Sequence, residues 1–235
     1  MNEKFRENLV KTKDKIIKFS QFILKAIFPP RCLICKSIGK VLCDEHSKFK
    51  EVSLGAKSIS GFKQTFVVTY YYDPKVELMM QKFKYQGRKN LGSIMAKKMA
   101  HEIIEAKIKN PLLVPIPLHW TRFIWRGYNQ SHVLAQKISK LVPGSKVQKL
   151  LLRRRRTVQQ AKLDKISRGK NLHKALRVAK KISRENIVIV DDVLATGSTL
   201  KEAARAFSEA KQSHHIYAVV FAVGGGKEKF QNSKK

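Results

Sequence analysis

Acidic residues are scarce in this sequence. Asp and Glu number 17 against 49 Lys and Arg, so the chain carries a net charge of +32 over 235 residues. A small anionic substrate needs only a few cations. The excess fits either a larger polyanion, meaning nucleic acid or an anionic membrane surface, or a lysine-rich composition that decorates every solvated face. Cysteine is scarcer still: three residues are too few for a disulfide framework and point to a reducing compartment. No run of 18 apolar residues offers a membrane span. No signal-peptide cleavage pattern, internal repeat or low-complexity tract is visible either. The expectation is a cytoplasmic protein, in contact with the inner face of the membrane at most peripherally. Hydrophobic content is an ordinary 43%, enough for one sizeable core and a small appendage.

Periodicity divides the chain. Phe5, Leu9, Ile16, Phe19, Ile23 and Ile27 fall on one face of a basic helix over 3–28, which Pro29 and Pro30 stop. Such a helix either packs on protein or lies on an anionic bilayer. Residues 65–72 read as a strand, 76–85 and 91–108 as helices, and 112–116 as a short strand. A loop is expected next, then a helix over 131–141. The basic stretch 150–174 reads as a loop or long hairpin, with room for a short helix. A buried strand at 187–190, a helix at 199–210 and a strand at 216–223 complete the pattern, with a basic tail after Gly226. Strands alternating with helices imply an α/β fold, a mostly parallel sheet flanked by helices. The expected domains are the helix 1–28, a small module 29–60, the α/β domain 61–226 and the tail 227–235.

The small module carries Cys32-x2-Cys35, seven residues, then Cys43-x2-His46. Two close ligand pairs can wrap one tetrahedral Zn²⁺, and three thiolates with one imidazole leave no open position. The site would therefore be structural. The other possibility is a set of buried cysteines beside a surface histidine.

The sharpest chemical signal runs from Val188 to Thr199: a buried strand, Asp191 and Asp192, then Ala195-Thr196-Gly197-Ser198-Thr199 opening a helix. A helix N-terminus presents free N–H groups and a positive dipole end. Small side chains, hydroxyls and a glycine let backbone amides close on a phosphate. Two adjacent acids at the end of a strand can accept hydrogen bonds from vicinal sugar hydroxyls, and ligands of open α/β sheets bind at that end. A plain strand–turn–helix connection would not account for two acids that nothing in the turn compensates.

This stretch resembles the phosphoribosyl pyrophosphate (PRPP) motif of type I phosphoribosyltransferases. Val114-Pro115-Ile116-Pro117-Leu118-His119, then Arg126-Gly127-Tyr128-Asn129-Gln130, then Arg156-Thr157-Val158-Gln159-Gln160 with Arg168 and Asn171, are similar to the ComF family of competence proteins. So are the paired metal ligands after Phe28-Pro29-Pro30, although His46 stands where that family usually has cysteine. The resemblance covers residues 28–223 and implies roles. Asp191 and Asp192 would contact the ribose and favour an oxocarbenium-like centre, as the catalytic pair. Ala195 to Thr199 would hold the 5′-phosphate. The loop from Pro117 to Arg122, with Pro117, Leu118 and His119 as its binding residues, would face the diphosphate, with Mg²⁺ bridging it to the ribose hydroxyls. Residues 153–172, including Arg156, Thr157, Gln159, Gln160, Arg168 and Asn171, would form a flap over the substrate. An amidophosphoribosyltransferase-type glutamine reaction is not expected, because all three cysteines belong to the metal module.

Two functions compete. One is a PRPP-binding protein of natural competence, acting on incoming single-stranded DNA, with a helicase or recombination mediator as possible partner. The other is a metabolic phosphoribosyltransferase of unknown acceptor. Whether catalysis occurs is open. For DNA, the candidate contacts are Arg122, Trp125, Arg126, Arg153, Arg154 and Arg155, where cations interleave with aromatics. The aromatics 120–125 would either stack on bases or anchor their loop to the core.

Overall fold

A computed structural model describes residue 20 and residues 26–49, 59–153, 175–179, 182, 185–210 and 215–224. Most of the expected helix 3–28, residues 154–172 of the expected flap and the tail lie outside the described residues. The chain divides into two compact units, 1–48 and 49–235.

In the first unit, each Cys-x2 pair sits on a turn closed by a backbone bond four residues on. Lys36 N–H donates to Cys32 C=O at 3.0 Å, and Ser47 N–H to Cys43 C=O at 2.9 Å. A single bridge pairs Arg31 with Ile38.

The second unit is built on seven strands and five helices among the described residues. They are β1 (Gln64–Tyr70), α1 (Pro74–Tyr85), α2 (Leu91–Glu105), β2 (Leu112–Pro115), α3 (Trp120–Arg126), α4 (Gln130–Ser139), β3 (Lys146–Val147), β4 (Leu151–Arg153), β5 (Leu176–Val178), β6 (Asn186–Leu194), α5 (Ser198–Glu209) and β7 (His215–Val223). Five strands form one sheet in the order β1-β7-β6-β2-β3, every pair parallel. Parallel strands covered on both faces read as unbroken apolar runs. Residues 187–190 and 218–222 do so and are fully buried. Side chains alternate between faces. Ile187, Ile189, Ala218 and Val220 share a cluster with Leu200, Ala203, Ala206 and Phe207 of α5. Helices α2 and α4 pack against each other, α2 on β7 and β1, α4 on β6 and β2. They bring Met95, Met99, Leu134 and Ile138 to a core away from α5.

Besides β3, for which the sequence reading has no strand, two elements differ from it. The expected strand 187–190 runs on to Leu194, because β7 stays alongside it and pairs Asp191 with Val220 and Leu194 with Val223. The acids therefore lie within a strand, not in a turn after it. The expected loop after β2 contains α3, capped by His119, whose Nδ1 accepts from Thr121 N–H at 3.4 Å, and closed by Gly127 at φ 72°. No residue of α3 is buried, so it lacks the apolar period that reveals a helix in sequence. At the borders of the basic stretch β4 and β5 pair antiparallel; residues 154–174 between them lie outside the described residues.

Glu202 fastens that strand pair to α5. It is 5% exposed; its Oε1 accepts from Leu176 N–H at 3.0 Å, and Arg205 binds both its carboxylate and Leu176 C=O at 2.8 Å.

Candidate functional site

Strand order locates the site. From β2 the chain passes through α4 to β3 at one edge. From β6 it passes through α5 to β7 on the other side. The two connections diverge, and a crevice opens between the carboxyl ends of β2 and β6, where open α/β sheets take their ligands. Asp191 and Asp192 stand there, just past the last β2–β6 pair, Pro115 with Val190.

Asp191 is fixed by Ser131 Oγ–H of α4 at 2.9 Å and by the Asp192 N–H at 2.9 Å. Burial, followed by the charge of Asp192, pushes its carboxyl up to about 7; the two hydrogen bonds and Lys84 act the other way. Asp192 is not uncompensated, as the sequence suggested. Lys84 Nζ, in the last turn of α1, lies 3.2 Å from Asp192 Oδ2, and both side chains are 15% exposed. Lys84 also lies over the ring of Tyr71, 5.8 Å from its centroid.

Beyond Leu194, Ala195 and Thr196 are exposed and lead to Gly197 at φ 79°. That left-handed conformation, rather than crowding, calls for glycine: a Cβ would meet nothing closer than 3.8 Å. Gly197 is the N-cap of α5 and has no side chain to cap it; Thr196 Oγ1 accepts from Ser198 N–H at 3.4 Å. Thr196 Oγ1 and Ser198 Oγ lie 2.7 Å apart. Ala195 to Thr199 thus surround a helix N-terminus whose orphan N–H groups favour an anion.

The loop after β2 brings Pro117, Leu118 and His119 to the same edge, each half-buried. Asn129 ties it down: its Nδ2–H donates to Ile116 C=O at 2.9 Å while its Oδ1 accepts from His132 N–H at 3.2 Å to cap α4. The Arg126–Gln130 run is thereby explained as a joint. Tyr128 packs edge-on against Phe83, and Arg126 donates to Tyr85 Oη at 3.3 Å and Gln130 Oε1 at 3.4 Å. Sequence reasoning missed Lys84 and Ser131. Ser131 follows directly on the recognised Gln130; nothing marks Lys84 among the other lysines.

Of the DNA candidates, Arg122 is exposed, Arg126 half-buried, and Arg153 feels Arg122 and Asp191. Arg154 and Arg155, like the flap residues Arg156, Thr157, Gln159, Gln160, Arg168 and Asn171, lie outside the described residues. Trp120, Phe123, Ile124 and Trp125 are 50, 50, 71 and 78% exposed. Their side chains do not anchor the segment in the core.

In the first unit, the ligand atoms of Cys32, Cys35, Cys43 and His46 all lie within 4.8 Å of one another and could hold a metal ion. Cys32 and Cys35 Sγ each lie 3.8 Å from Cys43 Sγ, and His46 Nδ1 lies 3.8 and 3.0 Å from Cys32 and Cys43 Sγ. A tetrahedron with arms of about 2.3 Å has edges of about 3.8 Å, so the donors fit a zinc-sized ion. Burial raises the Cys32 thiol, but hydrogen bonds with the backbone of Cys43, Cys35 and Ile34 and with the Cys35 side chain bring it down to about 6.

A family model described as phosphoribosyl transferase domain matches residues 88–235. The DNA utilization protein YhgH of Escherichia coli O157:H7 is 32% identical over 148 residues, 60% of this chain and 65% of that protein. Competence protein F of Haemophilus influenzae is 28% identical over 157 residues, 63% and 68%. Competence protein ComFC of Bacillus subtilis is 32% identical over 145 residues, 60% and 56%. The chain spans somewhat less than two thirds of the YhgH proteins it matches.

The raised Asp191 carboxyl has a sign that can be checked. The folded chain keeps a proton that the unfolded chain releases near 3.8. Stability from this group falls as pH rises from 3.8 toward 7 and is flat above. Asp191→Asn keeps an acceptor for Ser131 and removes the charge. Thermal unfolding should show the variant a few degrees more stable than the parent at pH 8, with the gap shrinking as pH drops to 5.

Proposed function

Given that this chain belongs to the phosphoribosyl transferase domain family, we propose that it binds PRPP at the carboxyl ends of β2 and β6 and serves natural competence, in the uptake of single-stranded DNA. The observation that carries the binding reading is the acid pair of β6 followed directly by an α5 N-terminus that opens on Gly197. Asp191 and Asp192 accept the ribose hydroxyls, the Ala195–Thr199 turn takes the 5′-phosphate on backbone N–H groups, and Pro117 to His119 face the diphosphate. Mg²⁺, bound with the donor, offsets diphosphate charge. The relatives named for DNA utilization and competence support the role in DNA uptake. Isothermal titration with PRPP and Mg²⁺ tests the site. Asp191→Ala with Asp192→Ala should abolish binding while the protein stays folded; unchanged affinity refutes the assignment.

The Cys32, Cys35, Cys43 and His46 cluster holds a structural zinc in this reading. Zinc supplies cross-linking there and no chemistry, because four protein donors close its shell. Purified protein should contain about one zinc per chain, and Cys35→Ser should lower both metal content and melting temperature. A fully folded, metal-free protein would sink the idea.

The exposed face of α3 supports single-stranded DNA as the polyanion. Its aromatics offer stacking surfaces, and Arg122, Arg126 and Arg153 offer phosphate contacts. Both tryptophans of the chain, Trp120 and Trp125, lie on this helix. Their fluorescence should be quenched by single-stranded DNA and far less by duplex. Affinity should fall with salt at a log–log slope of about 0.7 per phosphate contacted. Trp125→Ala should weaken binding at every salt concentration, since stacking is worth about 1–3 kcal/mol per base. No binding of either form at physiological salt would leave the charge as surface decoration and favour the metabolic reading.

A further inference from the structure

The geometry points to Lys84 as a residue that sets ligand specificity: it admits to the acid pair a ribose that carries a further anionic group beyond its 5′-phosphate. The inference rests on the PRPP reading and adds to it a residue so far without a role. Two carboxylates on consecutive residues repel a polyanion. Lys84 lies 3.2 Å from Asp192 Oδ2 with both side chains 15% exposed, so water screens the pair weakly and the attraction is stronger than at the surface. The carbonyl end of α1 and the ring of Tyr71 also favour a cation at this point. The direction of approach matters. α5, with its anion-favouring N-terminus, packs on the sheet face of Ile187 and Ile189. Lys84 comes instead from α1, which packs against α2. One positive group therefore stands on each side of the acids, and a ligand with anions at both ends of a ribose fits between them. Arg126 adds a cation on the α1 side, its guanidinium 5.0 Å from the ring centroid of Tyr85.

Isothermal titration of the full chain with Mg²⁺ compares PRPP with ribose 5-phosphate, which shares the hydroxyls and the 5′-phosphate but lacks the diphosphate. Lys84→Met should weaken PRPP about tenfold or more, the scale of a lost close charge pair, and ribose 5-phosphate far less. Lys84→Arg should retain the preference for PRPP. Thermal unfolding of each variant checks the fold. Equal loss for both ligands, no loss, or an Arg variant that behaves like the Met variant overturns the inference while PRPP binding by the parent stands. Failure of the parent to bind PRPP removes the reading beneath it.

Discussion

Two carboxylates placed side by side on a buried strand repel each other and lose their water, and much of the surrounding structure answers that cost. Asp191 is met by Ser131 at the start of α4 and by the Asp192 amide, and still holds its proton to about 7. Asp192 is met by Lys84 at the end of α1. Two elements distant in sequence are thus tied to two consecutive residues. The sheet supplies the rigidity this needs: β6 pairs with β7 from Asn186 to Asp191 and again at Val193 and Leu194, on both sides of Asp192. A group buried in an unfavourable state of charge persists only where the scaffold over-determines it, and such groups concentrate at functional sites.

The same constraint separates what the sequence made legible from what it did not. Residues 187–190 and 216–223 announce themselves as unbroken apolar runs because a covered parallel sheet admits nothing else there. The acids stand out by chemical type, and the Ala195–Thr199 turn by its small residues. Lys84 was invisible because its meaning lies in a contact between α1 and β6, and a lysine in so basic a chain carries no signal of its own. The length of β6 was misjudged for a related reason. Asp191 and Asp192 break the apolar pattern, yet the ladder to Val223 continues beneath them. Helix α3 was missed because it buries nothing, and periodicity detects only helices that pack.

The metal unit was legible for the opposite reason. Its chemistry is local: Cys32 and Cys35 sit on one turn, Cys43 and His46 on another, and i to i+3 spacing on a closed turn brings two donors together with no help from distant residues. The histidine in the fourth position changes the donor charge but not the tetrahedral fit, since His46 Nδ1 lies within 3.8 Å of both Cys32 and Cys43 Sγ.

Charge and apolar exposure then have to be read together. A solvated lysine face is cheap, and +32 by itself says little about a partner. Four large apolar side chains exposed on a seven-residue helix are not cheap, because they hold hydration water that any apolar or stacking contact would release. Stacking accounts for Trp120, Phe123 and Trp125, each of which has a π face. It does not account for Ile124, at 71% exposure the second most exposed of the four. The rings alone therefore do not explain the apolar exposure of α3, since Ile124 has no π face and offers only aliphatic contact.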